Sequence, residues 1–246
     1  MREIELRLNP AIEPRRYRDA YERDGVVQIP DLLTPDAADA LTSVLERGTP
    51  WRLALANAQG RQSLIDIRPG AVDAEATAAE VTRAVQQART GFSYVYLSYD
   101  MIDAYLQGRD PGHPIHLMSE LLNTPEFLAF TAEIIGGETP TKTEAFATCL
   151  RPGDFLAFHD DSYLGQRRAA FTIGFTRRWR PDWGGQLLFH DERGDIWRGL
   201  QPSFNVLTLF KAPQPHSVAT VAPYAAAARL SIVGFLRGDP PGPLAG

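Results

Sequence analysis

The chain has 246 residues, of which 44% are hydrophobic and 22% charged, and carries a formal net charge of -5. That balance is ordinary for a soluble globular protein, allows a sizeable core without disulfides, and gives no overall case for direct nucleic-acid binding. The single cysteine, Cys149, excludes an intramolecular disulfide and a multi-cysteine zinc site.

Met1 to Leu6 has no apolar signal core, and no stretch approaches the roughly 20 apolar residues of a membrane span. Together with the lone cysteine this gives the expectation of a cytoplasmic protein without a membrane partner. Tyr17 to Asp24 is predicted as a short helix. Gly25 breaks it into the strand Val26–Pro30, which stops at a proline. Thr34-Pro35-Asp36 reads as a helix start, with threonine as N-cap and proline in the first turn. Ala38, Leu41, Val44 and Leu45 keep helical spacing up to Gly48. Asp73 to Arg89 is a further alanine-rich helix. Phe92 to Leu97 reads as a strand, and Pro114 to Leu122 and Pro125 to Ile135 as helices, the last ending at Gly136-Gly137. The N-terminal half is therefore expected to be mainly helical.

From Thr141 the pattern changes to short apolar runs between turn residues. Strands are predicted at Glu144 to Leu150, Phe155 to His159, Ala169 to Thr176, Gln186 to Phe189, Phe204 to Phe210, Ser217 to Val221 and Leu230 to Leu236. Helices followed by antiparallel strands predict an α+β fold, with the N-terminal helices packed on one sheet of a sandwich or barrel. We expect a single domain over 1–238, helical in 1–140 and strand-rich in 141–238, with a flexible tail at 239–246.

Three polar residues lie among these apolar strands. His159 and Asp161 are two apart, a spacing that shares a strand face, and His216 follows a proline-rich turn at the head of a later strand. Two histidines and one carboxylate on one side of a metal leave positions open, an arrangement suited to non-haem Fe(II). Catalytic zinc can use the same ligands, although no His-Glu-x-x-His helix is present. Arg229 opens the next apolar strand with Ser231 on the same face. A buried arginine needs a partner, and its two parallel donors suit a carboxylate. The pieces together point to an Fe(II) enzyme that uses a dicarboxylate such as 2-oxoglutarate. His190, beside a tight turn, and His113 and His116, near a proline-rich loop, read as structural or surface residues. Arg167, Arg168, Arg177, Arg178 and Arg180 form a dense cluster, either a solvated strand end or a surface for an anionic or RNA-rich partner.

The ordered set Arg151-Pro152-Gly153-Asp154-Phe155-Leu156, His159-Asp160-Asp161, Arg168-Ala169-Ala170-Phe171-Thr172, Trp183-Gly184-Gly185-Gln186, Pro215-His216-Ser217-Val218 and Arg229-Leu230-Ser231 resembles the 2-oxoglutarate- and Fe(II)-dependent dioxygenases. The similarity is to their prolyl-hydroxylase branch, including ribosomal prolyl hydroxylases and bacterial relatives. The resemblance implies a double-stranded β-helix (jelly-roll, cupin-like) core. It implies Fe(II) on His159, Asp161 and His216, and 2-oxoglutarate held by Arg229 with Ser231 assisting, O₂ completing the reaction. It implies hydroxylation of an unactivated C–H bond with release of succinate and CO₂, since the related halogenases lack the carboxylate that Asp161 provides. Arg168 matches a position near the substrate in that branch. A tyrosine that touches 2-oxoglutarate in those enzymes falls near Gly174 here, and Thr172, two residues away on the same face, is its candidate replacement. Tyr163 is a candidate for closing the mouth of the site over a substrate. The expected substrate is a prolyl residue of a protein, with a small molecule as the alternative. A non-catalytic jelly-roll binding module is the reading from a different class, and the complete ligand set weighs against it.

Overall fold

The computed structural model describes residues 5–68, 70–71, 73–162 and 166–239. A 3-10 turn at Pro14–Tyr17 leads into α1 (Arg18–Asp24), which ends where Gly25 takes a φ of 69°. That left-handed conformation is accessible to glycine without steric cost. β1 (Val26–Pro30) and α2 (Pro35–Arg47) follow as expected. Pro35 occupies the first turn of α2, although the Thr34 side chain makes no cap bond.

Next comes a hairpin that the sequence reading passed over, β2 (Arg52–Ala56) and β3 (Gln62–Asp66), turning through Gly60 at φ 73°. Its first strand is Arg-Leu-Ala-Leu-Ala, a composition with no strand preference of its own. α3 (Ala74–Gln87) is capped by the Asp73 carboxylate, which accepts from the Glu75 and Ala76 N–H groups. β4 (Tyr94–Tyr99), α4 (Met101–Leu106), α5 (His116–Leu122) and α6 (Pro125–Ile135) complete this half. The expectation of a mainly helical N-terminal half is thus corrected, because it also contributes four strands.

The remaining strands are β5 (Lys142–Leu150), β6 (Phe155–His159), β7 (Arg167–Phe175), β8 (Leu187–His190), β9 (Ile196–Leu200), β10 (Phe204–Lys211), β11 (His216–Val218) and β12 (Arg229–Arg237). All but β9 coincide with predicted runs. The edge strand β9 has no buried residue, and its Ile-Trp-Arg-Gly-Leu sequence lacks the apolar run that marks the others.

The strands are antiparallel and run in the order β1-β10-β7-β12-β5-β4-β6-β11-β8-β9, with the β2–β3 hairpin paired to β4. β4 joins two layers. Its Leu97–Tyr99 end pairs with β5, and its Tyr94–Val95 end pairs with β6. The result is a curled sheet that folds over itself, the double-stranded β-helix architecture.

Alternation on the larger layer separates two environments. Leu230, Ile232 and Leu236 of β12, with Ala145, Ala147 and Cys149 of β5, join a core shared with Leu41 of α2, Met118 of α5 and Phe127 of α6. The helices therefore cover the outer face of that layer, as expected. The opposite face of the same strands looks into the fold, where Tyr94, Leu150, Phe189 and Phe210 form a second, smaller cluster. Arg229, Val233 and Phe235 of β12 share that inner side and border its cavity.

Candidate metal and dicarboxylate site

His159 is the last residue of β6 and His216 the first of β11, and the two strands pair with these residues directly opposite each other. A register shift between His216 and Val218 sets Leu156, rather than Ala157, against Val218. This bulge turns His159 inward and leaves Phe158 exposed on the outside. The third residue departs from the strand argument. Asp161 lies beyond the end of β6, with a φ of 63°. Its carboxylate reaches the histidines through a left-handed turn and not through the two-residue pleat. Such a backbone is unfavourable for a residue other than glycine, although aspartate is among those that tolerate it best.

The three side chains converge. Their ligand atoms lie within 4.8 Å of one another. His159 Nε2 is 3.7 Å from Asp161 Oδ1, and His216 Nε2 is 3.7 Å from Asp161 Oδ2. Each histidine points its other nitrogen at a backbone carbonyl. His159 Nδ1 lies 3.0 Å from the Ala157 oxygen, and His216 Nδ1 lies 2.7 Å from the Gln214 oxygen. A carbonyl can only accept, so both Nδ1 atoms carry the proton and both Nε2 lone pairs face the shared centre. That second contact is the usual means of orienting a metal-binding imidazole. Burial lowers the His159 pKa and pushes that of His216 down to about 3, with His159 adding to the effect on His216. Both rings are therefore neutral at physiological pH, as ligands must be. Burial raises the Asp161 carboxyl, with His159 and Arg167 opposing the rise. The donor set suits Fe(II), and zinc is accommodated by the same ligand types.

His159, Asp161 and His216 face a cavity of about 540 Å³ that Arg229 and Thr172 also line. Arg229 is 6% exposed, and its Nε has no hydrogen-bond partner among the described residues. Among the described residues no acidic group pairs with it, and burial pushes its pKa down to about 10. The Thr172 hydroxyl is likewise buried without a partner. A buried cation and a buried hydroxyl, both unanswered and bordering one cavity, fit a carboxylate ligand. Ser231 is 1% exposed and does not border the main cavity. It borders a separate void of about 20 Å³ shared with Arg229 and Thr172, space for roughly one water.

The departure at Gly174 has a steric cause. A Cβ at that position would lie 2.3 Å from the Ser203 carbonyl oxygen, so the chain crossing at Pro202-Ser203 excludes any side chain. Thr172 is left as the only polar side chain of β7 that borders the cavity, apart from Arg167.

The structure separates the two neighbouring arginines. Arg168 turns outward and donates to the Glu138 backbone oxygen and carboxylate at 2.6 and 2.7 Å. Arg167 points inward, lines the cavity, and lies 3.2 Å from Asp161 Oδ1. A bulge causes the exchange, since Arg237 pairs with Arg167 and Leu236 with Ala169, so that Arg168 has no partner across the ladder. The rest of the arginine cluster is dispersed. Arg177 pairs with Asp39 and lies over the Phe204 ring, and Arg180 pairs with Asp182. Tyr163 falls outside the described residues. His190 contacts the Ser217 hydroxyl at 2.9 Å, while His113 and His116 pack beside Tyr99, away from the cavity.

Several lining residues carried no recognised signal. Phe92, whose ring centroid is 5.0 Å from that of His159, and Tyr94 and Tyr96 form an aromatic wall. Alternation along β4 places the two tyrosines on one face, a readable clue. Gly60, Arg61 and Gln62 border the cavity from the unpredicted hairpin, and Asp100 from the end of β4.

Residues 146–237 match the sequence model of the 2OG-Fe(II) oxygenase superfamily. No curated protein matches the chain by sequence. Among solved structures, the chain is similar to a prolyl-4-hydroxylase of Pseudomonas putida, at 19% identity and TM-score 0.56, over 92% of this chain and 99% of that one. It is also similar to a prolyl hydroxylase of Trichoplax adhaerens solved with a hypoxia-inducible-factor peptide, at 14% identity and TM-score 0.59, over 91% and 90% of the two chains. The α-ketoglutarate-dependent epimerase SnoN of nogalamycin biosynthesis is similar at 14% identity and TM-score 0.53, over 94% and 85%. At these identities the structural likeness establishes the fold.

Proposed function

We propose that this chain, whose residues 146–237 match the 2OG-Fe(II) oxygenase superfamily, acts as such an oxygenase and hydroxylates an unactivated C–H bond, most simply in a prolyl residue of a protein. The family implies Fe(II), 2-oxoglutarate and O₂. In this reading His159 Nε2, His216 Nε2 and the Asp161 carboxylate hold the iron. Arg229 holds the distal carboxylate of 2-oxoglutarate through parallel charge-assisted bonds, with the Thr172 hydroxyl beside it. When bound, iron and 2-oxoglutarate would activate O₂, one atom of which enters the C–H bond while the other enters succinate as 2-oxoglutarate loses CO₂.

The chain's own residues supply position and exclusion of water. Nδ1 contacts to Ala157 and Gln214 hold both imidazoles in the ligating tautomer. Tyr94, Phe146, Phe210 and Phe235 surround the centre with apolar surface, which strengthens each electrostatic contact inside. The single observation that carries the proposal is one cavity bordered by a two-histidine, one-aspartate cluster and an unpaired buried arginine.

Two features support the prolyl reading: the fold shared with two prolyl hydroxylases, and a cavity whose aromatic wall suits an apolar ring. The likeness to SnoN favours a second reading, a small-molecule substrate, because that fold also serves natural-product chemistry.

The cofactor chemistry is tested without a substrate. Fe(II) and 2-oxoglutarate are added anaerobically to metal-free protein, and the visible charge-transfer band of the chelate is recorded. We expect a band in wild type, none in His216→Ala, and a much higher 2-oxoglutarate requirement in Arg229→Ala. No band in wild type, with tight zinc binding instead, overturns the proposal. The substrate is then sought by comparing proteomes with and without the enzyme for the mass of one added oxygen. An unchanged proteome, with turnover stimulated by a metabolite, transfers the assignment to the small-molecule reading.

A further inference from the structure

Arg167 is buried between an aromatic ring and two carboxylates. Its side chain is 8% exposed, and its guanidinium carbon lies 3.1 Å from the centroid of the Phe235 ring. A guanidinium stacked on a ring keeps its N–H groups pointing outward from the edge, available for carboxylates. One edge meets Asp161 Oδ1 at 3.2 Å and another lies 3.9 Å from Glu144 Oε2. Glu144 is itself held by Arg237 at 2.7 Å, and Arg237 by Asp239 at 2.6 Å, which Lys142 meets at 2.8 Å. Charges of alternating sign thus run from the edge of the fold to the metal-ligand carboxylate.

Asp161 needs such support more than the histidines do. Each histidine lies in a strand and is oriented by a backbone carbonyl. Asp161 lies outside the ladder on a left-handed backbone. The Arg167 guanidinium engages Oδ1, and the other oxygen, Oδ2, faces His216 Nε2 at 3.7 Å. We propose that Arg167 is a positioning residue that holds the Asp161 carboxylate in its metal-binding orientation, with Phe235 as its platform and Glu144 as its anchor. The inference rests on the assignment of Asp161 as a metal ligand. It also removes Arg167 from the groups available to a substrate.

Two effects of opposite sign compete. The positive charge of Arg167 repels a divalent ion and lowers the basicity of the carboxylate. Its hold on the carboxylate removes the disorder that a metal would otherwise have to suppress. The geometry favours the second effect, because the guanidinium charge is already answered by Asp161 and Glu144. Loss of such an outer partner costs about 10- to 100-fold in metal affinity.

The test is Mn(II) affinity, measured by the loss of the free-ion electron paramagnetic resonance signal, with no turnover involved. Arg167→Gln is expected to weaken Mn(II) binding by about 10- to 100-fold. Arg167→Lys should recover part of the loss, since it restores the charge without the stacked plane. Phe235→Leu, which leaves every charged partner in place, should give a smaller loss in the same direction. Arg168→Gln should leave the affinity at the wild-type value. Equal or tighter binding in Arg167→Gln overturns the proposal, because the repulsive effect would then dominate. If Arg167→Gln does not fold, an unchanged affinity in both Arg167→Lys and Phe235→Leu overturns it equally. His216→Ala separates the two levels of argument. If that variant keeps wild-type Mn(II) affinity, the metal-ligand assignment itself has failed. If it loses the metal while Arg167→Gln does not, only the role of Arg167 has failed.

Discussion

Arg229→Met provides a quantitative test of the dicarboxylate pocket, because it separates stability from binding. The substitution keeps much of the apolar stem and removes the guanidinium. In the ligand-free protein Arg229 is 6% exposed with no acidic partner among the described residues, and burial lowers its pKa from the ordinary 12.5 to about 10. At about 1.4 kcal/mol per pH unit, holding the charge in place costs folding about 3 kcal/mol. Removing the charge recovers that amount, offset by about half for packing lost with the shortened side chain. For a chain of this size each kcal/mol is about 2–4 °C in Tm. The metal-free, ligand-free variant should therefore melt a few degrees above wild type. Binding should move the other way. Loss of a charge-assisted pair of this kind costs about 2–5 kcal/mol, so 2-oxoglutarate affinity in the Mn(II) form should fall by at least about 30-fold. Thermal unfolding with and without 2-oxoglutarate reads both quantities in one assay. Wild type at a ligand concentration of about 100 Kd should gain about 2.7 kcal/mol, and the variant at the same concentration no more than about 0.9 kcal/mol. A variant that melts several degrees below wild type, with 2-oxoglutarate stabilisation intact, would refute the reasoning. Arg229 would then be part of the scaffold rather than the receptor for a carboxylate.

The metal-free protein should lose stability as pH falls below about 6.5, where an unfolded histidine takes up its proton. Buried His216 takes up its own only near pH 3, so across that window the unfolded state binds more protons and acid favours it. His216 contributes up to about 1.4 kcal/mol per pH unit. His159 acts in the same direction, and Asp161, whose carboxyl is raised by burial, opposes both. Urea midpoints at pH 6.5 and 4.5 in the presence of chelator should show the decline, with a shallower one in His216→Gln; parallel declines would remove His216 from the account. Gly174→Ala should destabilise the protein by about 1–3 kcal/mol or more, since the added Cβ meets the Ser203 carbonyl oxygen at 2.3 Å. A thermal melt within a degree of wild type would mean that the Pro202-Ser203 crossing can move aside and that sterics do not explain the missing tyrosine.

The ligand types, their order and their approximate strands were legible in the residues themselves. His159, His216 and Arg229 are polar groups at the ends of apolar runs, with Asp161 two residues beyond the first, and burial without a partner is costly enough that such residues stand out. The helices of the N-terminal half other than α4 (Met101–Leu106) were equally legible from spacing and from Asp73, Thr34 and Gly25 at their ends, and the strands after 141 other than β9 from their turn residues. Alternation could not say which of two adjacent arginines faces inward. Arg167 and Arg168 are identical in type, and the choice depends on a one-residue bulge set by pairing with Arg237 and Leu236 on a strand 60 or more residues later. The same limit applies to Asp161, whose position comes from a left-handed turn rather than from the two-residue repeat. The β2–β3 hairpin was invisible because its alanines and leucines become a strand only by pairing with β4. Local chemistry thus determined which residues could form the site. Long-range pairing decided which way each one points, because register belongs to two strands at once and is written in neither alone.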